Sequence, residues 1–268
     1  MKVDERYMHG HHESVLRSHE WRDLGNSGAY FADLLRPGMR VLDVGSGPGT
    51  LTFDIAERVA PGPVVGVDRS AGIVAHAREA AQRRGAANVT FAEGDAYALD
   101  YPRGTFDVVH AHQMLQHVSD PVAVLREFGR VTRPGGMVVA RDVDWGGTIW
   151  APVLPGLDEW MRIMQAVQSG NGGEPFAGRM LRSWALEAGF TDVTSSASVW
   201  CFASDEERSW WGGLWSERVT SSDWGSHALE AGLADEGLLS LISEAWLEWS
   251  RDPSGWYAMP HGEVIARV

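Results

Sequence analysis

The sequence predicts an α/β protein: a seven-stranded, mostly parallel sheet with helices on both faces and an added helical lid. Three observations lead there. From residue 39 to about 143, short apolar runs of β type alternate with amphipathic helical segments, the rhythm of a parallel sheet covered on both sides. The first run breaks into three glycines at every second position, in "VLDVGSGPGT" at 41–50. Beyond that region the composition shifts, because twelve of the 13 tryptophans lie from Trp145 onward.

The elements follow in order. "MRVLDV" (39–44) is a strand, and Leu51, Ile55 and Val59 sit at helical spacing in the segment 50–59. "PVVGVD" (63–68) is a second strand; Ser70 can cap a helix that runs to about Arg84 and stops at Gly85. "NVTFAE" (88–93) and "TFDVVHAH" (105–112) are the third and fourth strands. Ser119, Asp120 and Pro121 start a helix with Leu125, Phe128 and Val131 on one face, and "RPGG" (133–136) is a turn into a fifth strand, "MVVARDV". An extra helix is expected over 156–169, a loop at "NGGEP" (171–175), a hinge for closure at "SGNGG" (169–173), and a helix over roughly 177–188. A sixth strand follows over 192–203, two or three helical pieces over 204–252, and a final segment of strand character. The reading is one domain over 1–268, with a core of about 27–145, 176–202 and 254–268, an N-terminal flap at 1–26, and lid insertions at 146–175 and 203–253.

Bulk properties narrow the function. The formal charge of −13 has the wrong sign for neutralising phosphates, so nucleic acid is not an expected partner. The first 21 residues hold no apolar core of signal-peptide length, and no run is long enough to span a membrane. A single cysteine, Cys201, points to a reducing cytoplasm.

Glycines between a strand and a helix N-terminus let a ligand approach the backbone. A dinucleotide fingerprint, Gly-x-Gly-x-x-Gly, would need its third glycine where Thr50 stands; the glycines here are Gly45, Gly47 and Gly49. The pattern instead resembles the first motif of class I S-adenosylmethionine-dependent methyltransferases, Asp/Glu-x-Gly-x-Gly-x-Gly. Asp68 in "VVGVDRS", Asp95 in "EGDAYAL" and "FDVVHAHQMLQHV" fall where that family keeps further landmarks. The resemblance implies a Rossmann-like fold and a cofactor site formed by Asp43, Gly45, Ser46, Gly47, Gly49, Asp68, Arg69, Asp95, Ala96, His112 and Gln113. It implies S-adenosyl-L-methionine as methyl donor and S-adenosyl-L-homocysteine as product. Acids suit that cofactor, since they oppose a sulfonium and an ammonium, and a carboxylate fits a ribose diol. The segments "YMHGHHESVLRSHEWR" and "NSGAYFADLLRPG" resemble the ubiquinone/menaquinone-biosynthesis type (UbiE-like) and its small-molecule relatives in secondary metabolism.

The acceptor is then expected to be a flat, apolar small molecule, aromatic or quinone/polyketide-like, methylated at oxygen, with carbon as the second choice. His117, just past the fourth strand, is the candidate base. Tyr7, His11 and His12 from the flap and Trp145, Trp150, Trp211 and Trp215 from the lid are candidate pocket residues; Trp160, Trp210, Trp246 and Trp249 are further wall candidates. Asp142 and Asp144 end the fifth strand beside Trp145, over the same pocket. No metal is expected, because His9, His11 and His12 lack partners at ligand spacing. The oligomeric state is open between monomer and homodimer. Two rival readings stand beside this one: a methyltransferase-like protein that uses bound cofactor structurally while promoting a cyclisation or regulating a partner, and a nicotinamide-dependent oxidoreductase.

Overall fold

The computed structural model describes residues 13–268. Helices α1 (Glu13–Glu20), α2 (Leu24–Ser27) and α3 (Ala29–Ala32) lead into strand β1 (Val41–Val44). From there β strands and helices alternate: α4 (Thr50–Val59), β2 (Val64–Asp68), α5 (Ala71–Arg84), β3 (Val89–Glu93), β4 (Phe106–His112), α6 (Pro121–Val131) and β5 (Thr132–Val143). The local reasons are those of the sequence. Ser70 accepts the Ile73 N–H at the start of α5, and Gly85 closes that helix in the left-handed conformation. Asp120 caps α6 through the Ala123 N–H, with proline in its first turn.

The second half comprises β6 (Ile149–Ala151), α7 (Pro155–Gly170), α8 (Ala177–Ala188), β7 (Asp192–Phe202), α9 (Asp205–Ser221), α10 (Asp223–Glu230), α11 (Glu236–Arg251) and β8 (Trp256–Arg267). Three helices therefore separate the last two strands, as the reading of 204–252 anticipates. The sheet has eight strands in the order β3-β2-β1-β4-β5-β8-β6, with β7 also paired to β8. Strands β1 to β5 are parallel, and β8 runs antiparallel to β5, β6 and β7. The last strand in the chain thus lies between two earlier ones.

Two expectations are corrected. The sheet has one strand more than the seven expected. The addition, β6, has three residues, too few for an alternation to register, and it continues the line of β5 along β8. The "RPGG" segment belongs to β5, whose register with β4 slips between Phe106 and Val108. The Gly135 N–H donates to the Val268 carbonyl and the Val268 N–H to that of Gly136, so this segment takes ladder-type bonds from the end of the chain.

Residues alternate between the two faces along each central strand. Val41, Val108, Met137 and Val139 join Phe31, Phe53, Ile55 and Val74 on one side; Leu42, Val109, Val138 and Ala140 join Val124, Leu125, Phe128 and Leu181 on the other. A third cluster, dominated by tryptophan, packs α7, α9, α10 and α11 against the ends of β7 and β8.

Candidate functional site

One cavity of about 1200 Å³ opens where β1, β2 and β4 end, the usual ligand position in an open parallel sheet. Its floor at one end is the glycine loop. Gly47 has φ +55° on the cavity wall, and Gly49 has φ +90° and opens α4. A Cβ on Gly49 would meet the Phe91 ring at 2.5 Å, so that glycine serves packing of helix on sheet and is not itself a cavity residue. The other expected cofactor residues all line the cavity: Asp43, Gly45, Ser46, Gly47, Asp68 and Arg69 from the first two strand ends, then Asp95, Ala96, His112 and Gln113.

The acids differ in what they are free to do. Asp43 is buried and spent on the fold, with Thr52 Oγ1 donating to it at 2.6 Å and His110 Nδ1 at 2.7 Å. Asp68 accepts the Gly47 N–H and the Ser70 N–H, each at 3.0 Å, one on each carboxylate oxygen. That orients the group and leaves further lone pairs for a diol. Asp95 is fixed by the Tyr97 N–H at 2.9 Å. Ser46 Oγ is buried with no hydrogen-bond partner. Backbone opened by glycine, an oriented carboxylate and an unsatisfied hydroxyl together fit S-adenosylmethionine.

The other end is aromatic. Trp145, Trp200, Trp211 and Trp215 line it with Met259. Of the expected pocket residues, Trp145, Trp211 and Trp215 are therefore brought together, whereas Trp150 lies on β6 against the tryptophan cluster and away from the cavity. Trp160, Trp246 and Trp249 are fully buried core; Trp160 packs edge-on to Trp246 at 4.9 Å between centroids. Trp210 packs on Trp21 and Phe202 and also stays off the wall. Tyr7, His11 and His12 lie outside the described residues. Asp142 and Asp144 do not reach the cavity: Asp144 is gripped by Arg179 of α8, and Asp142 is buried, its carboxyl pushed up to about 8 by desolvation against the opposing Gln116 and Leu115 N–H groups. Among the described residues no cluster of three metal-ligating side chains occurs. The "SGNGG" loop is no free hinge, since Gln116 O accepts from Glu174 N and from Gln168 Nε2, and a Cβ on Gly173 would lie 2.4 Å from that same oxygen.

Between the two ends stand residues that the spacing of motifs does not single out. Ser18, His19 and Arg22 reach the cavity from the N-terminal helix and its exit, and Arg218 from α9. Gln113 holds φ +50°, a left-handed conformation that a side-chain-bearing residue keeps only when its surroundings impose it. Its amide oxygen accepts from Arg22 Nη2 at 2.9 Å. Its amide nitrogen meets His261 Nε2 at 2.7 Å, and since His261 Nδ1 faces the Met259 carbonyl, Nε2 is the acceptor. His117 lines the cavity with its pKa held down to about 3, first by burial and then by Arg22. His112, whose two ring nitrogens have no hydrogen-bond partner, is pushed well below the usual imidazole range by burial and then by Arg22 and Arg141. Both are neutral at physiological pH.

A methyltransferase-domain family model matches residues 35–201. The chain is similar to an uncharacterized methyltransferase of Schizosaccharomyces pombe, 35% identical over 269 residues that cover 97% of this chain and 95% of the relative. It is also similar to the ubiquinone/menaquinone biosynthesis C-methyltransferase UbiE of Bdellovibrio bacteriovorus, 35% identical over 122 residues, 46% of this chain and 50% of that protein. Among solved structures, the YcgJ protein of Bacillus subtilis superposes with a TM-score of 0.57 at 20% identity, covering 96% of this chain and 98% of the other.

Proposed function

The chain belongs to the class I S-adenosylmethionine-dependent methyltransferases, and on that premise we propose that it methylates a flat aromatic or quinone/polyketide-like small molecule of secondary metabolism, at oxygen before carbon. The supporting observation is the joint cavity: the tryptophan wall and the glycine loop line one cleft, so a planar acceptor on the wall shares that cleft with the donor. The formal charge of −13 supports a small molecule over a nucleic acid. Among the described residues no helix is long and apolar enough to cross a membrane.

When bound, S-adenosylmethionine supplies an electrophilic methyl group and leaves as S-adenosylhomocysteine. The chain's own contribution is alignment and exclusion of water. Asp68, Asp95 and the glycine-loop backbone would hold the nucleoside part. Arg22, anchored by Gln113, and the tryptophan wall close the acceptor side. His117 is the group we assign to receive the acceptor's hydroxyl proton. It is always in its accepting form near pH 7, but Arg22 opposes the imidazolium, so its share of the rate is smaller than the 10²- to 10⁴-fold typical of a general base.

Incubation with labelled methyl donor and a panel of phenols and quinones tests the activity. Tight donor binding with no labelled product from any acceptor would instead support the cyclisation or regulatory reading. For His117→Ala, turnover should fall about tenfold to a hundredfold with S-adenosylhomocysteine affinity intact; unchanged turnover would return the residue to packing.

A further inference from the structure

The turn that ends β4 is held by side chains from both ends of the chain. Gln113 leaves the strand with φ +50°, and its N–H donates to the Arg141 carbonyl at 2.7 Å, one residue beyond the register pair of His112 and Arg141. That left-handed step sets Met114 against the glycine loop, where a Cβ on Gly45 would lie 2.5 Å from Met114 Cγ. The Gln113 turn and the first glycine of the loop are therefore packed together, and both line the cavity.

The Gln113 amide has one orientation that its neighbours allow. His261 of β8 is fully buried and off the cavity wall, with its ring 4.4 Å from that of Trp200. Burial and then Arg141 hold the imidazole well below its usual pKa, so it carries a single N–H near neutral pH. Nδ1 faces the Met259 carbonyl at 3.0 Å and must be the donor, which leaves the Nε2 lone pair for the Gln113 amide nitrogen at 2.7 Å. At its other end the Gln113 amide oxygen accepts from Arg22 Nη2 at 2.9 Å. Turned over, the amide would set its NH2 against a guanidinium and its oxygen against a lone pair. Donation thus runs one way, from Arg22 through Gln113 and His261 to the Met259 carbonyl.

We propose that His261 is a positioning residue for S-adenosylmethionine: without lining the cavity, it fixes the Gln113 amide and with it the turn that packs on the glycine loop. The inference rests on the placement of Gln113 at the donor end of the cavity. It gives a task to a side chain 148 positions further along the chain than the one it holds, outside the segment 35–201 that the family model matches.

The test is calorimetric titration of the full chain with S-adenosylhomocysteine, which needs no methyl acceptor. His261→Gln brings an amide oxygen to the place of Nε2 and keeps the bond to Gln113; His261→Asn reaches only as far as Nδ1 and keeps the bond to the Met259 carbonyl alone. Affinity should stay within about threefold of wild type in His261→Gln and fall by about tenfold or more in His261→Asn. In a Gln113→Met background, itself weakened by about tenfold, His261→Asn should cost less than about a further twofold, because the contact it removes is already gone. Equal losses in His261→Gln and His261→Asn, no loss in His261→Asn, or the same added loss in both backgrounds overturns the inference. Wild-type affinity in Gln113→Met overturns it by a different route, since it removes Gln113 from the donor end and leaves the family assignment untouched. Should His261→Asn not fold, His261→Phe, which also lacks the acceptor, takes its place under the same limits.

Discussion

The glycine-loop end of the cavity is made from backbone and short side chains contributed by a compact stretch, Asp43 to Tyr97, while the tryptophan end is made from bulky side chains drawn from positions as far apart as Ser18 and Met259. The first end presents amides and carboxylates held at set points. The second offers a bulky aromatic surface that runs into the tryptophan core stabilising the fold. Residues of one type, tryptophan, therefore divide into wall and core, whereas the acids of the first end divide into ligand-facing and fold-bound.

The sharpest way to break that division is Trp246→Ala. Trp246 is fully buried in the tryptophan core and does not line the cavity, so its loss should lower stability by about 3–5 kcal/mol in urea denaturation. A change under about 1 kcal/mol would show that this side chain is not core. Next comes Asp68→Ala, which should weaken S-adenosylhomocysteine by about 100-fold, about 2.7 kcal/mol, while stability changes far less. A loss below threefold in a calorimetric titration would remove Asp68 from the donor site.

A comparable effect is a pH dependence that belongs to the tryptophan end. His112 and His261 are buried and His117 half-buried, and all three have lowered pKa values, desolvation being the first cause in each. A depressed histidine contributes its stability above the unfolded value near 6.5 and loses it as pH falls, because only the unfolded chain takes the proton. Asp142, raised to about 8, acts in the opposite sense: the native state holds its proton through this range and unfolding releases it. From pH 6 to 5 the balance is uptake of about two protons on unfolding, so stability should fall by about 2–3 kcal/mol per pH unit. Denaturation curves at pH 7, 6 and 5 check this, and a flat profile would mean that the imidazoles are solvated.

The comparison also explains what could be read in advance. The glycine-loop end was legible because strand, glycines and acids follow one another within each βα step, so local spacing brings them to one cavity. The tryptophan end was legible only in part. Trp211 and Trp215 share a helical face with Arg218, a spacing visible in the sequence, but nothing local separates them from Trp246 and Trp249, which also lie on one helix and turn out to be core. Trp200 reaches the cavity from a strand, and its neighbour Met259 from another strand almost sixty residues later, so only their pairing across the sheet makes them a wall. The strand β6 was invisible because three residues between glycines and a proline carry no period. The placement of Asp142 and Asp144 outside the cavity depends on Arg179 and Gln116, partners that no spacing rule names.

The position of β8 bears on how the chain reaches this state. It comes after both β5 and β7 in the chain yet separates them in the sheet, and it carries Glu263, which receives hydrogen bonds from Ser196 and Ser198 and pairs with the buried Arg141 at 3.4 Å. During synthesis the five parallel strands can therefore assemble first, but β5 keeps an unpaired edge and Arg141 an unopposed charge until β8 arrives. The aromatic wall, whose Met259 sits on that strand, is then completed in the same step that closes the sheet, so the tryptophan end of the cavity takes shape only with that long-range pairing.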